Sequence, residues 1–270
     1  MSGSTGSPSP FLKWVGGKRQ LLRELVVRLP AQFGTYHEPF VGGGALFLAL
    51  RPAKAVLYES NLRLVRTWRG VRDDVEGVIE LLQTYPHDKE FFLGLRRRAI
   101  DAGSDVEVGA WLIYLNKTAY NGLYRVNRRN EFNVPFGSYR NPTICDAPNL
   151  RACSRALQGV DIVHGDFSLV RERARSGDLV YFDPPYVPLS ATSYFTSYTA
   201  AGFGAEDQVR LRDLARALKR RGVRVLLSNS SAPFVREIYA RGFRLDEVLA
   251  TRAVNCKADG RGKVAELVMR

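Results

Sequence analysis

Short apolar runs that end on polar or acidic residues, alternating with amphipathic stretches, predict an α/β protein with an open sheet. An inserted, mainly helical segment bearing a β-hairpin is expected to interrupt it. Three observations carry this. Leu179-Val180-Tyr181-Phe182 runs straight into Asp183-Pro184-Pro185-Tyr186, as a buried strand does where it ends in a rigid polar turn. Residues 36–48 read as a short strand, a glycine turn and an apolar helix, the arrangement that lets backbone approach a ligand at a strand end. Between residues 66 and 151 the alternation breaks, and periodic apolar positions predict helices instead.

Taken in order, Phe11-Leu12-Lys13-Trp14-Val15-Gly16-Gly17-Lys18 precedes a helix with Leu21, Leu22, Leu25 and Val26 on one side. Gly-Gly-Lys before a helix suits an anion, although a helix-capping turn has the same composition and the phosphate-loop pattern fails at Arg19. The turn at Phe40, Gly42 and Gly44 lacks the third glycine of the dinucleotide fingerprint, so it suits a nucleoside without a pyrophosphate. A second strand over residues 53–58 ends at Glu59, which is placed either to take ribose hydroxyls or simply to meet solvent. Three helices are expected around residues 75–82, 91–100 and 108–115. Residues 120–137 then mix aromatic, amide and arginine side chains around a polar tip near Arg129 and Asn130. They read as a basic hairpin, either a ribbon for the major groove or a solvated surface loop.

The α/β pattern resumes at residues 160–167, where Asp166 and Phe167 sit at a strand end suited to an adenine amine. Residues 187–204 are too long for a simple connection and are expected to form a functional loop. A helix over 206–221, a strand over 223–228, a short helix over 233–240 and strands near 243–249 and 264–269 complete the pattern, with a basic, glycine-rich segment at 256–263. At the centre, the two prolines remove backbone donors, leaving Asp183 and the Pro184 carbonyl as acceptors beside the ring of Tyr186. Two acceptors next to a flat ring suit a planar group carrying NH2. An ordinary strand-ending turn is the bland alternative.

Composition bounds the function. The chain has 270 residues, 45% hydrophobic and 25% charged, as in a globular protein and in neither a membrane-embedded nor a disordered one. Forty Lys plus Arg against 27 Asp plus Glu give a net charge of +13, which favours a polyanionic partner or reflects a proteome that uses arginine freely. Cys145, Cys153 and Cys256 and the three histidines fall into no ligand spacing, so neither a disulfide nor a metal is expected. The first ten residues read as a flexible tail and not a signal peptide, so a cytoplasmic, nucleoid-associated protein is expected.

From Phe11 onward the chain resembles the Dam family of DNA adenine-N6 methyltransferases. The family's order is FxKWxGGK, PFxGxG, an inserted target-recognition domain, then DPPY, and the matching stretches here are residues 11–18, 39–44, 66–151 and 183–186. Asn121-Gly122-Leu123, residues 131–137 and Pro188-Leu189-Ser190-Ala191-Thr192 are also similar to Dam. The resemblance implies a Rossmann-like methyltransferase sheet built from residues 10–65 and 152–270 around a recognition domain at 66–151. It implies S-adenosylmethionine as cofactor, held by Trp14, Gly16, Lys18, Phe40, Gly42, Gly44, Glu59, Asp166, Phe167 and Asp183. The family's DxN motif is Glu59-Ser60-Asn61 here, a departure at the ribose contact.

Catalysis is then expected at Asp183, Pro184, Pro185 and Tyr186, on an adenine flipped out of double-stranded DNA. The resemblance further implies GATC as the target. Lys13, helped by Tyr139, would reach the first guanine, Leu123 and Pro135 the thymine methyl, and Arg125 the outer guanine, with Asn133 in the same contact set. Tyr120 and Asn121 would fill the space left by the flipped base. A longer or variant site read with the tip Arg128-Arg129-Asn130 is the alternative. One recognition domain and one DPPY suffice for one strand at a time, so a monomer is expected. Rival readings are cytosine-N4 or glutamine-amide methylation, whose families more often carry Ser or Asn at the position of Asp183, and a DNA-binding protein of the same fold without catalysis.

Overall fold

The structure, a computed structural model, describes residues 6–18, 20–187, 203–251 and 263–270. Most of the expected loop at 187–204, with the signature at 188–192, and most of the segment at 256–263, with Cys256, lie outside them. In chain order the described elements begin with α1 (Leu22–Val26), β1 (Tyr36–Glu38), α2 (Ala45–Leu50), β2 (Ala55–Glu59), α3 (Leu62–Asp73), α4 (Val75–Thr84) and α5 (Lys89–Arg96). They continue with α6 (Asp105–Thr118), α7 (Ala147–Leu157), β3 (Asp161–His164), α8 (Val170–Arg173), β4 (Leu179–Phe182), α9 (Ala205–Arg220), β5 (Arg224–Ser230), α10 (Pro233–Tyr239), β6 (Leu245–Thr251) and β7 (Lys263–Met269). The sheet has seven strands in the order β3-β2-β1-β4-β5-β7-β6. β1 runs parallel to β2 and β4, β4 runs parallel to β5, and β7 runs antiparallel to β5 and β6. The mixed α/β class expected from the sequence is therefore the one observed.

The chain divides into two compact units. One comprises Lys18–Val41, Pro52–Tyr58 and Gly165–Arg270. Its β4 is buried along its whole length, which is why four apolar residues in a row are needed there and alternation is absent. From α9, Leu211, Leu214, Ala215 and Leu218 are buried, while Arg210 and Arg212 turn their guanidinium groups to surface carboxylates.

The second unit comprises Met1–Gly17, Gly42–Arg51 and Glu59–His164. At its centre α6 is buried on nearly every side, through Val108, Ala110, Trp111, Leu112, Ile113, Tyr114 and Leu115, and Ser104 with Glu107 closes a capping box at its start. The expected helices at 75–82, 91–100 and 108–115 correspond to α4, α5 and α6. Two further helices, α3 and α7, were not expected. In α3 the signal is Asn61, whose side chain accepts from the N–H groups of Arg63 and Leu64, followed by buried Leu64, Val65, Trp68 and Val71. Arginines between those positions hide the periodicity. β3 is shorter than the 160–167 run because the Asp166 carboxylate accepts from Ser168 N–H and starts a turn after Gly165.

Residues 119–137 form an irregular hairpin, paired only through the antiparallel bridges Ala119 with Phe136 and Val126 with Phe132. Asn121 and Gly122 are left-handed, with φ of 53° and 65°, and Pro135 has no N–H to give, so no continuous ladder forms. Asn116 ties this hairpin to the chain start. Its carboxamide accepts from Lys13 N–H at 2.8 Å and donates to the carbonyls of Lys13 at 2.8 Å and Gly122 at 2.7 Å. Asn116→Ala would leave the buried Gly122 carbonyl and two partly exposed Lys13 backbone groups without this partner, and with about 1 to 3 kcal/mol for a buried group and less for those water can reach, a loss of about 1 to 3 kcal/mol is expected in urea unfolding. A loss below about 1 kcal/mol would show that solvent replaces the amide.

Candidate functional site

Asp183 is the first residue beyond β4, and two side chains converge on one of its oxygens. Lys18 Nζ lies 2.9 Å from Oδ1, and Ser228 Oγ donates to the same atom at 2.8 Å. Tyr181 OH lies 2.9 Å from Ser228 Oγ; because the serine proton goes to Asp183, Tyr181 is the donor in that pair. Among the described residues nothing donates to Asp183 Oδ2 or to the Pro184 carbonyl. Burial pushes the Asp183 carboxyl above its ordinary range, opposed by the Lys18 ammonium and the Ser228 hydroxyl. Lys18 itself is 6% exposed and Asp183 17%.

The rest of the turn is fixed from α9 and β5. Gln208 Nε2 donates to the Pro185 carbonyl at 3.0 Å, and its Oε1 accepts from Asn229 Nδ2 at 2.9 Å. Asn229 Oδ1 accepts from the N–H groups of Val187 at 3.4 Å and Ser230 at 2.8 Å. Lys18 Nζ sits over the Tyr186 ring, 4.4 Å from its centroid.

Nearby in the same unit, Phe40 stacks on Phe167 with centroids 5.4 Å apart and planes at 25°, and Phe203 meets both edge-on. The Arg210 guanidinium lies 5.1 Å from the Phe167 centroid and donates to Asp166 Oδ1 at 3.2 Å. Phe40, Asp166 and Phe167 thus lie in one cluster with Phe203 and Arg210. Phe203 falls in the long stretch at 187–204, and Arg210 is one of several arginines on the expected helix over 206–221, so nothing local singles either out.

In the other unit Gly42 and Gly44 are left-handed, with φ of 46° and 62°. A Cβ on Gly42 would lie 2.6 Å from Trp14 Cδ1, so the turn closes on the indole only because Gly42 has no side chain. Trp68 Nε1 donates to the Gly42 carbonyl at 3.1 Å. Glu59 accepts from Asn61 N–H at 2.9 Å and, with its other oxygen, from Gly42 N–H at 3.3 Å. Burial raises the Glu59 carboxyl above its ordinary range, and the backbone donors oppose the shift. Gly16 is also left-handed, at φ 81°.

On the hairpin side, Lys13 Nζ donates to Tyr139 OH at 3.2 Å and lies 4.4 Å from the centroid of that ring. Arg125 is held by Asn133: Nε donates to Oδ1 at 2.7 Å and a terminal nitrogen to the Asn133 carbonyl at 3.2 Å. Trp14 stacks on Tyr124 at 5.6 Å. Tyr120 and Asn121 are exposed, as is Pro135, while Leu123 is half-buried. At the tip, Asn127 Oδ1 accepts from the N–H groups of Arg129 and Glu131, and Arg63 donates to the Asn130 carbonyl at 2.7 Å. Cys145 and Cys153 are free thiols. Among the described residues no three His, Cys, Asp or Glu side chains are grouped to hold a metal, and no helix is long and apolar enough to cross a membrane.

The family model of D12 class N6 adenine-specific DNA methyltransferases matches residues 14–254. A type II methyltransferase of Lactococcus lactis subsp. cremoris is 46% identical over 268 residues, covering 96% of this chain and 94% of the relative. A second, of Methanocaldococcus jannaschii, is 42% identical over 274 residues, covering 93% and 94%. The DNA adenine methylase of Escherichia coli K12 is 34% identical over 262 residues, covering 96% and 93%.

Lys18 favours the ionised form of Asp183, so Lys18→Met is expected to move the carboxyl pKa further up. Carbon NMR titration of Asp183 in the two proteins would measure it. An unchanged or lowered midpoint would mean that solvent and Ser228 hold the charge without the ammonium.

Proposed function

Because the chain belongs to the D12 class of N6 adenine-specific DNA methyltransferases, we propose that it methylates N6 of an adenine flipped out of duplex DNA, within GATC, using S-adenosylmethionine. One observation supports the chemistry above all others. Among the described residues both donors to Asp183 act on Oδ1, so Oδ2 and the Pro184 carbonyl are proposed to accept the two protons of an exocyclic amine. The N6 lone pair is delocalised into the purine ring, and its protons are too weakly acidic to remove first. Two directed acceptors draw the nitrogen towards tetrahedral geometry, aim its lone pair and stabilise positive charge as it develops. Tyr186 stacks on the base. Asp183, its pKa raised by burial, is suited to take the proton that the methylated nitrogen must lose.

The residues fit the cofactor. Glu59, held by the Gly42 N–H, offers a carboxylate for ribose hydroxyls, and the half-buried ring of Phe40, with Phe167 stacked behind it, offers an apolar face for a purine. Bound S-adenosylmethionine supplies a methyl group made electrophilic by its sulfonium. Trp14, Gly16, Lys18, Gly44 and Asp166 complete its proposed contacts. Glu59 is one methylene longer than the family's Asp, which lets one carboxylate meet both Gly42 and Asn61 N–H groups.

Residues 66–151 are proposed to recognise the DNA, and residues 10–65 and 152–270 to carry the chemistry. For GATC the support is residue type: Lys13 with Tyr139, Leu123 with Pro135, Arg125 with Asn133, and Tyr120 with Asn121 all match the family pattern. The 34% identical Escherichia coli relative is named a DNA adenine methylase. The enzyme is proposed to act as a monomer in the cytoplasm, on nucleoid DNA.

Mass spectrometry of nucleosides from DNA treated with the protein is expected to show N6-methyladenine. N4-methylcytosine would overturn the base assignment, and no methyl transfer would leave a DNA-binding protein. Asp183→Ala is expected to lower turnover by more than about a hundredfold, far more than it weakens cofactor binding, because the carboxylate acts mainly on N6 in the transition state. Sequencing of methylated bases should place the mark in GATC, and marks mainly outside it would refute that site. Arg125→Ala should cost about 1 to 3 kcal/mol of discrimination at the outer base pair, more than it weakens non-specific binding.

A further inference from the structure

Tyr186 is fixed at its phenolic end by a strand far away in the chain. Tyr186 OH donates to Glu266 Oε2 at 2.7 Å, across 80 positions of sequence. Glu266 lies on β7, where the ladder register pairs it with Ser230 of β5. The Ser230 hydroxyl is buried without a partner, so the Glu266 carboxylate takes the phenol and not its neighbour across the ladder. The Lys18 ammonium covers one side of the ring at 4.4 Å. With its hydroxyl tethered by Glu266 and one face covered by Lys18, the ring is held in one plane, and a base stacking on it would use the other face. An O–H donated to a carboxylate also shifts electron density into the ring, which favours a purine gaining positive charge.

We propose that Glu266 is a positioning residue that sets the plane of the Tyr186 ring against the flipped adenine and so acts on the transition state, an inference that rests on the reading of Asp183 to Tyr186 as the methylation site. Its loss should lower kcat and leave KM for DNA and cofactor nearly unchanged.

The test uses the full chain and a duplex with 2-aminopurine in place of the target adenine, alongside ordinary DNA. Glu266→Ala is expected to lower kcat by about ten- to a hundredfold, the range of one hydrogen bond to a charged group, with KM within about twofold. Tyr186→Phe should match it, and the double variant should be no worse than either single one. Glu266→Gln keeps an acceptor and the shape of the side chain, so it should recover activity to within about threefold of wild type. In the ternary complex of Glu266→Ala, 2-aminopurine should be brighter, because a loosened ring quenches it less. A Glu266→Ala kcat within about twofold of wild type, losses that add in the double variant, or a Gln variant as poor as the Ala variant would each overturn the proposal. An inactive wild-type protein would instead overturn the methyltransferase reading itself.

Discussion

The 2.9 Å contact between the Lys18 ammonium and Asp183 Oδ1 sets what the end of β4 can do. Both groups are largely removed from water, and a buried ion pair often costs as much in desolvation as it returns in attraction. Its value here is directional. With Lys18 and Ser228 both on Oδ1, the carboxylate cannot rotate without losing a charge-assisted bond, so the position of Oδ2 is fixed as well. The same ammonium covers the Tyr186 ring, so one cation orients both the carboxylate and the aromatic group three residues later. Preorganisation of this kind is where electrostatic catalysis gains most, because little has to move when charge develops.

Two adjacent prolines make this arrangement possible and also create its main difficulty. They stiffen the turn but remove two N–H groups, so the backbone around them cannot satisfy itself. Side chains from elsewhere do so: Gln208 from α9 caps the Pro185 carbonyl, and Asn229 from β5 meets Val187 N–H while bonding Gln208. Each buried amide uses both ends, as a buried polar network must if it is not to weaken the core. The Pro184 carbonyl stands out because nothing described donates to it.

What the sequence revealed and what it hid follow from distance along the chain. Asp183, Gly42 and Glu59 were legible because each ends or follows a short apolar run, and the chemistry of such positions in open α/β sheets is set by local geometry. Helices α4, α5 and α6 were legible through their period. Ser228, Gln208, Asn229 and Glu266 were not, because their roles depend on partners 21 to 80 positions away that only the sheet and α9 bring together. Ser228 reads as the polar end of the strand over 223–228 and Asn229 lies just beyond it, although both are fully buried. α3 was hidden by its own arginines, which interrupt the apolar stripe at 63, 66, 69 and 72.

Those arginines also change what a net charge of +13 means. Arg63 pairs with Asp101, Arg66 with Asp105 and Arg72 with Asp73, while Arg69 and Arg72 donate to the carbonyls of Ile162 and Val160. They act as cross-links inside one unit, committed before any polyanion arrives. The hairpin is different. Residues 120–140 hold four arginines and one glutamate, and that glutamate is bonded to Asn127. Among the described residues neither Arg128 nor Arg129 meets a carboxylate, and the turn that carries them is fixed by the Asn127 side chain above and by Arg63 below. Composition counts both kinds of arginine alike. A phosphate backbone would distinguish them, since only a cation without a partner on the protein can be given to DNA without first breaking a bond.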